Sequence, residues 1–407
     1  MRILLGVSGS ISAYKAIDLA RAFINDGHEV KVVLTKGALE FLNPNTFKYL
    51  GVISTHLADD DFAHAGVLHV ELGRWCDKFV IAPLSANTLS RFVHAEASDL
   101  LSSIFLAFEK TKPILVFPAM NTEMLTHPFV EENFESIKKL KTLNNIFVSN
   151  TNSGKLACND EGAGKLATVE EIKELTYSIS HVNNLDSKII ITTGATIAPL
   201  DPVRFLTNSS SGITGFALAK TYLELGHQVI VIAGRLATEK LDLLLKHPNY
   251  KLIRVSLVDE MFDEVHRHIK DTHIFISSAA VSDIEFVYEE QKIKKDKMTN
   301  SLNVKPAKDI LKSVIDLKQK NLKIVGFAAE TDLSDSVLEK KMNNKPVDLL
   351  VGTKVHNGIK DNSVQGFNNI SANYRLMAKT MGSNQIVFEG ELSKDYLGVE
   401  ILKRLNL

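Results

Sequence analysis

The chain has 407 residues, of which 45% are hydrophobic, and its Lys+Arg 47 against Asp+Glu 48 give a formal net charge of -1. This balance excludes an overall field built for nucleic acid or for an acidic membrane surface. The length predicts two or possibly three domains.

Cysteine is scarce, because Cys76 and Cys158 are the two cysteines of the chain. A disulfide framework is therefore excluded, and scarce thiols are typical of a reducing compartment. The first residues form an apolar strand pattern rather than a cleavable signal, and no apolar run reaches the roughly 20 residues that span a bilayer. We expect a soluble, cytoplasmic protein that binds neither nucleic acid nor membrane.

The first half predicts a parallel sheet covered by helices on both faces. Continuous apolar, β-branched runs alternate there with amphipathic segments, as in doubly wound α/β domains. Lys15–Ile24 has apolar residues at helical spacing, and Gly27 follows as a helix stop. The predicted strands are Ile3–Val7, Glu29–Thr35, Phe79–Pro83, Ile114–Phe117 and Ile146–Ser149.

Small polar residues or glycines follow several of these strands. Gly6–Lys15, Ala82–Thr88 and Pro118–Met124 each begin at or near a strand end, and Ser153–Gly164 is a glycine-rich loop. Such turns direct backbone N–H groups towards an anion, and the carboxyl ends of parallel strands form the ligand crevice of doubly wound sheets. The opening turn taken alone is equally well explained as a tight turn, because it lacks the G-x-G-x-x-G fingerprint.

These strings, together with Leu68–Trp75, resemble the flavin-dependent cysteine decarboxylases, specifically the phosphopantothenoylcysteine decarboxylase family. The resemblance implies FMN as the cofactor and His69 as the active-site base. It also implies that Asn121 binds the substrate and that Cys158 donates a proton from a flap. The implied FMN contacts are Ser10, Thr35, Ser85, Ala86, Asn87, Thr88 and Ala119.

The implied chemistry suits these residue types. Loss of CO2 beside an amide nitrogen leaves a carbanion without an electron sink, whereas oxidation of the cysteinyl thiol to a thioaldehyde provides a C=S group that accepts the charge. The cofactor then carries the redox step, and the protein supplies a base, positioning and a proton donor. A histidine or cysteine is more often structural than catalytic. We interpret Cys76 as a buried, inert thiol, whereas the sequence context favours function for His69 and Cys158.

The pattern breaks at Ser178–Ser187, a polar stretch that we interpret as a linker. We therefore divide the chain into a decarboxylase domain, residues 1–180, and a second domain, residues 186–407. The fold class is α/β, with a doubly wound, Rossmann-like flavoprotein domain followed by another Rossmann-like domain. The predicted strands of the second domain are Lys188–Thr193, Gln228–Ala233, His273–Ser278, Lys323–Phe327 and Val347–Val351.

The second half also contains several polar sequence segments that carry information about function. A lysine-rich run such as Gln291–Lys297 is by itself usually a solvated surface. In combination, however, the strings resemble phosphopantothenate–cysteine ligase, which bacteria usually fuse behind the decarboxylase. The resemblance to this bifunctional coenzyme A biosynthesis family covers essentially the whole chain. The strings that carry it in the second half are Thr193–Thr196, Pro199–Phe205, Asn208–Gly212, Ser278–Asp283, Gln291–Lys297 and Val325–Thr331.

The resemblance implies a ligase that joins 4'-phosphopantothenate to L-cysteine with CTP and Mg2+, through an acyl-cytidylate. Asn208 is implied to hold this intermediate and Lys292 to assist its formation, while Arg204 and Asn208 contact substrate and Asp283 binds the metal. Lysines and Mg2+ suit this role because charge develops on the phosphate during activation. The implied nucleotide contacts are Ser278, Ala279, Ala280, Asp283, Lys292, Lys308, Asp309, Ile310, Leu311, Phe327, Lys341 and Lys345.

The sequence also departs from the family pattern. In the first half the departure is Phe92–Asp99, which leaves flavin packing or subunit contacts open. In the second half, the loss of a lysine charge at position 213 predicts weaker handling of the phosphate substrate, unless Arg204 compensates. The departures in the second half are Ala195 in place of Pro or Gly, Ile213 in place of Lys, Lys308 in place of Pro and Thr353 in place of Asn.

Three hypotheses therefore stay open. We favour a bifunctional enzyme over a decarboxylase with an impaired ligase half and over a non-catalytic, FMN-binding regulatory protein. The presence of His69, Asn121 and Cys158 argues against the third hypothesis, because a pure binding protein needs no flap thiol. The resemblance also implies a homo-oligomer with trimeric decarboxylase units and dimeric ligase halves, and it leaves a dodecamer open.

Overall fold

The structure is a computed structural model of the chain. It describes residues 1–63, 65–139, 145–155, 161–179, 187–294, 302–355, 371–380 and 383–405. The chain divides into two compact units, Met1–Asn183 and Asn184–Leu407. Within the described ranges, each helix is too short or too polar to cross a membrane.

The first unit is built on a six-stranded parallel sheet in the order β3-β2-β1-β4-β5-β6. The five predicted strands are present with both ends within one residue of the prediction. The strand at Ser54–Leu57 was not predicted, because it is short, polar and only half-buried. The strands are β1 (Arg2–Val7), β2 (Glu29–Leu34), β3 (Ser54–Leu57), β4 (Lys78–Leu84), β5 (Ile114–Pro118) and β6 (Ile146–Val148).

Both faces of this sheet are buried. Alternate residues of a strand point to opposite faces, and β1 accordingly sends Ile3 and Leu5 into one apolar cluster and Leu4 into another. This double burial explains the continuous apolar runs in the sequence. The covering helices are α1 (Lys15–Asn25), α2 (Lys36–Leu39), α3 (Pro44–Tyr49), α4 (Asp60–Ala63), α5 (Leu68–Trp75), α6 (Ala86–Val93), α7 (Leu100–Ala107), α8 (Thr122–Leu125), α9 (Pro128–Lys139) and α10 (Val169–Ser178).

Two smaller elements of the first unit lie near the ends of the strands. A 3-10 helix, Ile11–Tyr14, follows the turn after β1 and leads into α1. An antiparallel hairpin, β7 (Asn152–Lys155) and β8 (Glu161–Lys165), follows β6. The predicted helix over Lys15–Ile24 is confirmed as α1, which ends just before Gly27.

The second unit has an eight-stranded sheet in the order β13-β12-β9-β14-β17-β18-β19-β20. Its strands are parallel from β13 to β18, as the sequence predicts. The five predicted strands are present, although β18 begins two residues later than predicted and both β17 and β18 end three residues later. The strands are β9 (Lys188–Thr193), β12 (Gln228–Gly234), β13 (Tyr250–Val255), β14 (Ile274–Ser277), β17 (Lys323–Glu330), β18 (Leu349–Lys354), β19 (Ser371–Thr380) and β20 (Ser383–Ser393).

The last two strands, β19 and β20, make this sheet mixed rather than wholly parallel. They pair antiparallel with each other, and β19 also pairs antiparallel with β18. Only residues 381–382 join them, and so short a connection permits antiparallel neighbours alone. We did not predict these strands, because they alternate polar and apolar residues and thus lack the continuous apolar run of a central parallel strand.

Helices and two short hairpins complete the second unit. The hairpins are antiparallel and lie outside the large sheet: β10 (Ile197–Pro199) with β11 (Phe205–Thr207), and β15 (Ile284–Phe286) with β16 (Val304–Pro306). The 3-10 helices are Glu239–Leu244 and Ile269–Asp271. The α-helices are α11 (Ile213–Glu224), α12 (Val258–His268), α13 (Ile310–Asp316), α14 (Asp335–Asn344) and α15 (Lys394–Arg404).

Both sheets have a point where the strand order reverses. In the first unit this point lies between β1 and β4, and in the second it lies between β9 and β14. A crevice opens outside the carboxyl ends of two such strands, because their connections leave in opposite directions. These two crevices are the expected positions of functional sites.

Candidate active sites

A buried serine ties the turns after β1 and β4 together in the first unit. The Ser8 hydroxyl donates to the carbonyl oxygen of Pro83 at 2.8 Å and accepts from the backbone N–H of Ser85 at 2.7 Å. Ser8 is fully buried. The two strand ends that flank the crevice are therefore held by one side chain.

Three predicted FMN contacts are helix N-caps at this edge of the sheet. The hydroxyl of Ser10 accepts from the N–H of Ser12 at 3.3 Å and caps the 3-10 helix. Thr35 caps α2 and Ser85 caps α6 in the same way. Helix N-termini carry N–H donors and partial positive charge, so they suit the phosphate of a flavin nucleotide.

The other predicted FMN contacts lie at the same edge. Ala86, Asn87 and Thr88 form the first turn of α6. Ala119 is buried directly after β5, where its N–H donates to the carbonyl oxygen of Leu84 at 3.0 Å. Small side chains and helix N-termini at these strand ends fit a flat cofactor with one phosphate.

Asn121 lies after β5 on a segment that supports the β7–β8 hairpin. Its side-chain oxygen accepts from the N–H of Glu123 at 2.8 Å and caps α8. The N–H of Met120 donates to the carbonyl oxygen of Gly164 at 3.0 Å, and the Thr122 hydroxyl donates to the carbonyl oxygen of Ala163 at 2.5 Å. The hairpin is thus docked on the substrate-binding segment that the sequence predicts.

Cys158 lies between β7 and β8 in the sequence but outside the described residues. Its role as proton donor therefore stays a prediction. The flanking strands are nevertheless described, and both belong to the hairpin that contacts Met120 and Thr122.

His69 is the second residue of α5 and is bound by a carboxylate. Its Nδ1 atom lies 2.7 Å from Oδ2 of Asp61, and its backbone N–H donates to Oδ1 of the same side chain at 3.1 Å. Sequence reasoning missed Asp61. The only signal was an acidic run, Asp59-Asp60-Asp61, shortly before the histidine.

Lys15 adds positive charge near the turn after β1. Burial, and then the charge of Lys165 at the end of β8, hold the pKa of Lys15 below its usual value. The charges of Glu171 and Glu170 act in the opposite direction. We had not singled out either lysine in the sequence.

The second unit has a cleft of about 690 Å3 at its reversal point. This volume is in the range of ordinary ligand pockets. The lining includes Asn208 and every predicted nucleotide contact except Lys292. The predicted residues that line the cleft are Asn208, Ser278, Ala279, Ala280, Asp283, Lys308, Asp309, Ile310, Leu311, Phe327, Lys341 and Lys345.

The floor of this cleft is formed by backbone turns. Asn208 donates from Nδ2 to the carbonyl oxygen of Ala280 at 3.2 Å, and this contact joins the turns that precede α11 and follow β14. Gly212 is the N-cap of α11 at φ 76, and a Cβ atom there would overlap the Ala237 side chain. Glycine therefore allows the N-terminus of a 12-residue helix to open directly into the cleft. That arrangement suits a phosphate group.

Lysines on the wall of the cleft are held by carboxylates. Lys341 pairs with Glu330 at 2.6 Å, and Lys345 pairs with Asp309 at 2.6 Å. Burial alone would raise the pKa of Asp309, but hydrogen bonds from Lys345 and from the N–H of Lys312 hold it below its usual value. Lys308 pairs with Asp259 at 2.9 Å, which raises the pKa of this lysine.

Lys292 and Arg204 do not line the cleft. The Arg204 guanidinium donates to Oδ2 of Asp201 at 2.5 Å and to the carbonyl oxygen of Ile293 at 2.8 Å. The N–H of Ile293 donates to the same Asp201 oxygen at 3.1 Å. Asp201 and Arg204 thus anchor the segment that carries the exposed Lys292. The predicted contacts of Lys292 and Arg204 with nucleotide and substrate stay predictions.

The carboxylate predicted to bind metal, Asp283, is exposed and lines the cleft. Within the described ranges, no cluster of three or more His, Cys, Asp or Glu side chains is arranged to hold a metal ion. Mg2+ is usually held by one or two carboxylates together with substrate phosphates and water. A single carboxylate beside a phosphate site is therefore compatible with Mg2+ that arrives with a nucleotide.

The chain is similar to known proteins over its full length. Residues 1–181 match a family model described as flavoprotein, and residues 185–406 match the DNA/pantothenate metabolism flavoprotein C-terminal domain. The coenzyme A biosynthesis bifunctional protein CoaBC of Vibrio vulnificus (strain CMCP6) is 34% identical over 415 residues, which cover 100% of this chain and 97% of that protein.

A second relative has the same description, and one solved structure is also similar to part of the chain. The CoaBC protein of Escherichia coli (strain K12) is 34% identical over 375 residues, which cover 90% of this chain and 88% of that protein. Among solved structures, a PPC decarboxylase mutant complexed with pantothenoylaminoethenethiol is 37% identical, with 42% of this chain and 93% of that chain covered and a TM-score of 0.38.

Proposed function

The chain belongs to the family of coenzyme A biosynthesis bifunctional proteins, and on that premise we propose that it both makes and decarboxylates phosphopantothenoylcysteine. The second unit joins 4'-phosphopantothenate to L-cysteine with CTP. The first unit removes CO2 from the product with FMN and yields 4'-phosphopantetheine. The main support is that Asn208 and most of the expected nucleotide contacts line one cleft at the reversal point of the second sheet, while the expected FMN contacts lie in turns at the carboxyl ends of strands of the first sheet.

In the first unit, bound FMN supplies the two-electron redox chemistry that creates a sulfur-conjugated electron sink. The helix N-termini capped by Ser10, Thr35 and Ser85 hold its phosphate. His69 accepts a proton from the substrate, and Asn121 binds the substrate beside it. The hairpin docked on Met120 and Thr122 brings its own residues over the substrate and excludes water.

In the second unit, the N-terminus of α11 and the serines before it bind phosphate groups. Lys341 and Lys345 line the cleft, where they stabilise the charge that develops as the substrate carboxylate attacks the α-phosphate of CTP and pyrophosphate leaves. Asn208 holds the acyl-cytidylate, and Asp283 would hold Mg2+, which would neutralise charge on the phosphates. Attack by the cysteine amine then releases CMP.

A coupled assay tests both activities. The purified chain is supplied with 4'-phosphopantothenate, L-cysteine, CTP and Mg2+, and pyrophosphate and CO2 are followed together. We expect pyrophosphate release that needs both phosphopantothenate and cysteine, with CO2 release after it. Decarboxylation of supplied phosphopantothenoylcysteine without any pyrophosphate release would show that the ligase half is impaired. A purified protein that is colourless and does not take up FMN would contradict the decarboxylase assignment.

Replacing the flap thiol tests the last steps of decarboxylation. Cys158→Ser removes the proposed proton donor, so we expect CO2 release to continue while an oxidised, decarboxylated intermediate accumulates. Mass spectrometry of the products detects this intermediate. Pyrophosphate release in the same reaction is the internal control and should be unchanged. A normal yield of 4'-phosphopantetheine would contradict the donor role.

A further inference from the structure

We propose that Asp61 is a positioning residue for His69, fixing the tautomer and the orientation of the imidazole in the decarboxylase site. This inference rests on the proposed function, because it concerns the base of the same site. It assigns a role to a residue that no sequence motif had indicated.

The geometry is a two-point contact between one carboxylate and one residue. Oδ2 of Asp61 lies 2.7 Å from the ring atom Nδ1, and Oδ1 accepts from the backbone N–H of His69 at 3.1 Å. A carboxylate can only accept hydrogen bonds, so Nδ1 must carry the hydrogen in this pair. The lone pair of the neutral ring is then on Nε2, which is the atom able to accept a proton.

The exposure of the two side chains supports these different roles for Nδ1 and Nε2. The Asp61 side chain is 12% exposed, whereas the His69 side chain is 27% exposed. The carboxylate is therefore the more enclosed partner, and part of the ring stays open to a substrate. Partial removal from water also strengthens a hydrogen bond to a charged group.

The neighbouring acids of the same run have other partners. Asp59 pairs with Lys36 at 2.9 Å, and both side chains are mostly exposed. Asp60 accepts from the backbone N–H of Leu57 at 2.8 Å. Three consecutive carboxylates thus contact three different partners, and the one that contacts His69 is Asp61.

The pair has a defined part in proton transfer. Nε2 accepts the proton of the substrate thiol, and the electron pair stays on the sulfur atom. The imidazolium that forms keeps its Nδ1–H bond to Asp61, so the carboxylate stabilises the new positive charge. Asp61 touches neither substrate nor cofactor in this scheme and acts only through His69.

The test is Asp61→Asn in the full-length, FMN-loaded protein. The amide oxygen can still accept from the His69 N–H, but an amide NH2 facing Nδ1 favours the tautomer with hydrogen on Nε2. Histidine 15N NMR reads which ring nitrogen is protonated, with His69→Gln to assign the signal. We expect hydrogen on Nδ1 in the parent protein and a shift towards Nε2 in the variant.

A second readout is the rate of flavin reduction when phosphopantothenoylcysteine is mixed anaerobically with the protein. We expect this rate to fall at least about 10-fold, and by up to about 10⁴-fold if the wrong tautomer is fully populated. Asp59→Asn is the matched control. It removes the same charge from the same acidic run, but Asp59 pairs with Lys36 and not with His69. Its tautomer and its rate should equal those of the parent protein.

Asp61→Glu keeps the carboxylate and separates a charge effect from a steric effect. We expect it to retain the Nδ1 tautomer and more activity than Asp61→Asn. A parent-like tautomer and rate in Asp61→Asn overturns the inference, and so does an equal loss in the Glu and Asn variants. If the parent protein itself is not reduced by the substrate, the proposed function fails, while the NMR comparison still decides whether Asp61 positions His69.

Discussion

Cys76 is a thiol that the fold has made unreactive. It directly follows α5, is fully buried, and its Sγ atom lies 3.7 Å from the carbonyl oxygen of Gly73. Burial raises the pKa of this thiol to about 12. The thiolate is the reactive form of cysteine. At neutral pH almost none of the Cys76 side chain is in this form.

The burial and the raised pKa of Cys76 predict slow alkylation. In a Cys158→Ser background, where Cys76 is the remaining cysteine, we expect iodoacetamide at pH 8 to modify the native protein at least about 10³-fold more slowly than the unfolded protein. Mass spectrometry over time gives both rates, and the sample in guanidinium chloride is the control. Fast modification of the native protein would mean that the end of α5, and with it the helix of His69, opens readily.

Single residues also show what sequence can predict about a site. Lys341, Lys345 and Asp309 were predicted to bind nucleotide, and all three line the cleft. The pairing of Lys345 with Asp309 was not predicted, and neither were Glu330 beside Lys341 and Asp61 beside His69. A motif fixes residue types along the chain, whereas an ion pair depends on which side chains the folded sheet edge brings together.

At the scale of elements, the close packing of the β7–β8 hairpin requires the lack of a side chain at Gly164. Gly164 has φ 122, and a Cβ atom there would overlap the carbonyl oxygen of Met120. The N–H of the same Met120 donates to the carbonyl oxygen of Gly164 at 3.0 Å, and this hydrogen bond docks the hairpin on the Asn121 segment. A side chain at Gly164 must therefore push the hairpin away from the site.

We expect Gly164→Ala to lower the decarboxylation rate by about 10- to 100-fold, because small displacements of positioning groups have costs of this size. The measurement is CO2 release from supplied phosphopantothenoylcysteine. Gly154→Ala is the matched control, since Gly154 lies in the same hairpin at φ 143, but a Cβ atom there would meet only the Lys165 side chain at ordinary distance. Equal losses in the two variants would point to hairpin strain rather than to docking.

A second element, the segment around Ile293, is anchored by the Asp201–Arg204 pair. The Asp201 carboxylate is enclosed and accepts from Arg204 and from three backbone N–H groups. Arg204, as the leading cause, holds the pKa of Asp201 well below its usual value. The anchor therefore stays charged throughout the neutral range, and it fixes the backbone next to Lys292.

We expect Arg204→Met to slow pyrophosphate release by about 10- to 100-fold while leaving decarboxylation of supplied phosphopantothenoylcysteine unchanged. The variant keeps the backbone donors to Asp201 but loses the bridge to the Ile293 carbonyl. Arg404→Met is the control, because Arg404 pairs with Glu400 and is 30% exposed, close to the 31% of Arg204. Parent-like ligation by Arg204→Met would show that the anchor does not serve Lys292.

Elements differed in how well the sequence predicted them. Strands buried on both faces, such as β1 and β9, are continuous apolar runs in the sequence, and the bounds of both were predicted to within one residue. β20 is the edge strand of its sheet and is partly exposed, and β19 lies next to it, so the pattern of these two strands is weaker. The short β10–β11 and β15–β16 hairpins contain three residues per strand, too few to show any periodicity.

At the scale of the whole molecule, two catalytic units in one chain predict that each ligand stabilises its own unit. The single tryptophan of the chain, Trp75, ends α5 in the first unit, where the Lys31 amino group lies 4.4 Å above its ring. Its emission wavelength therefore reports unfolding of the first unit. A ligand at 100 times its Kd stabilises the folded state by about 2.7 kcal/mol.

For a unit of this size, that stabilisation corresponds to a rise of roughly 5–10 °C in the unfolding temperature. We expect FMN to raise the Trp75 transition by this amount, because the proposed FMN contacts all lie in the first unit. CTP with Mg2+ should instead slow hydrogen exchange in peptides from the second-unit cleft, such as residues 208–224 and 278–283, and leave the Trp75 transition in place. His69→Gln, which keeps the proposed FMN contacts, is the control and should retain the FMN shift. If CTP raised the temperature of the Trp75 transition, the prediction that each ligand stabilises only its own unit would be wrong. A ligand shifts an unfolding transition only when it stabilises the folded state of that unit.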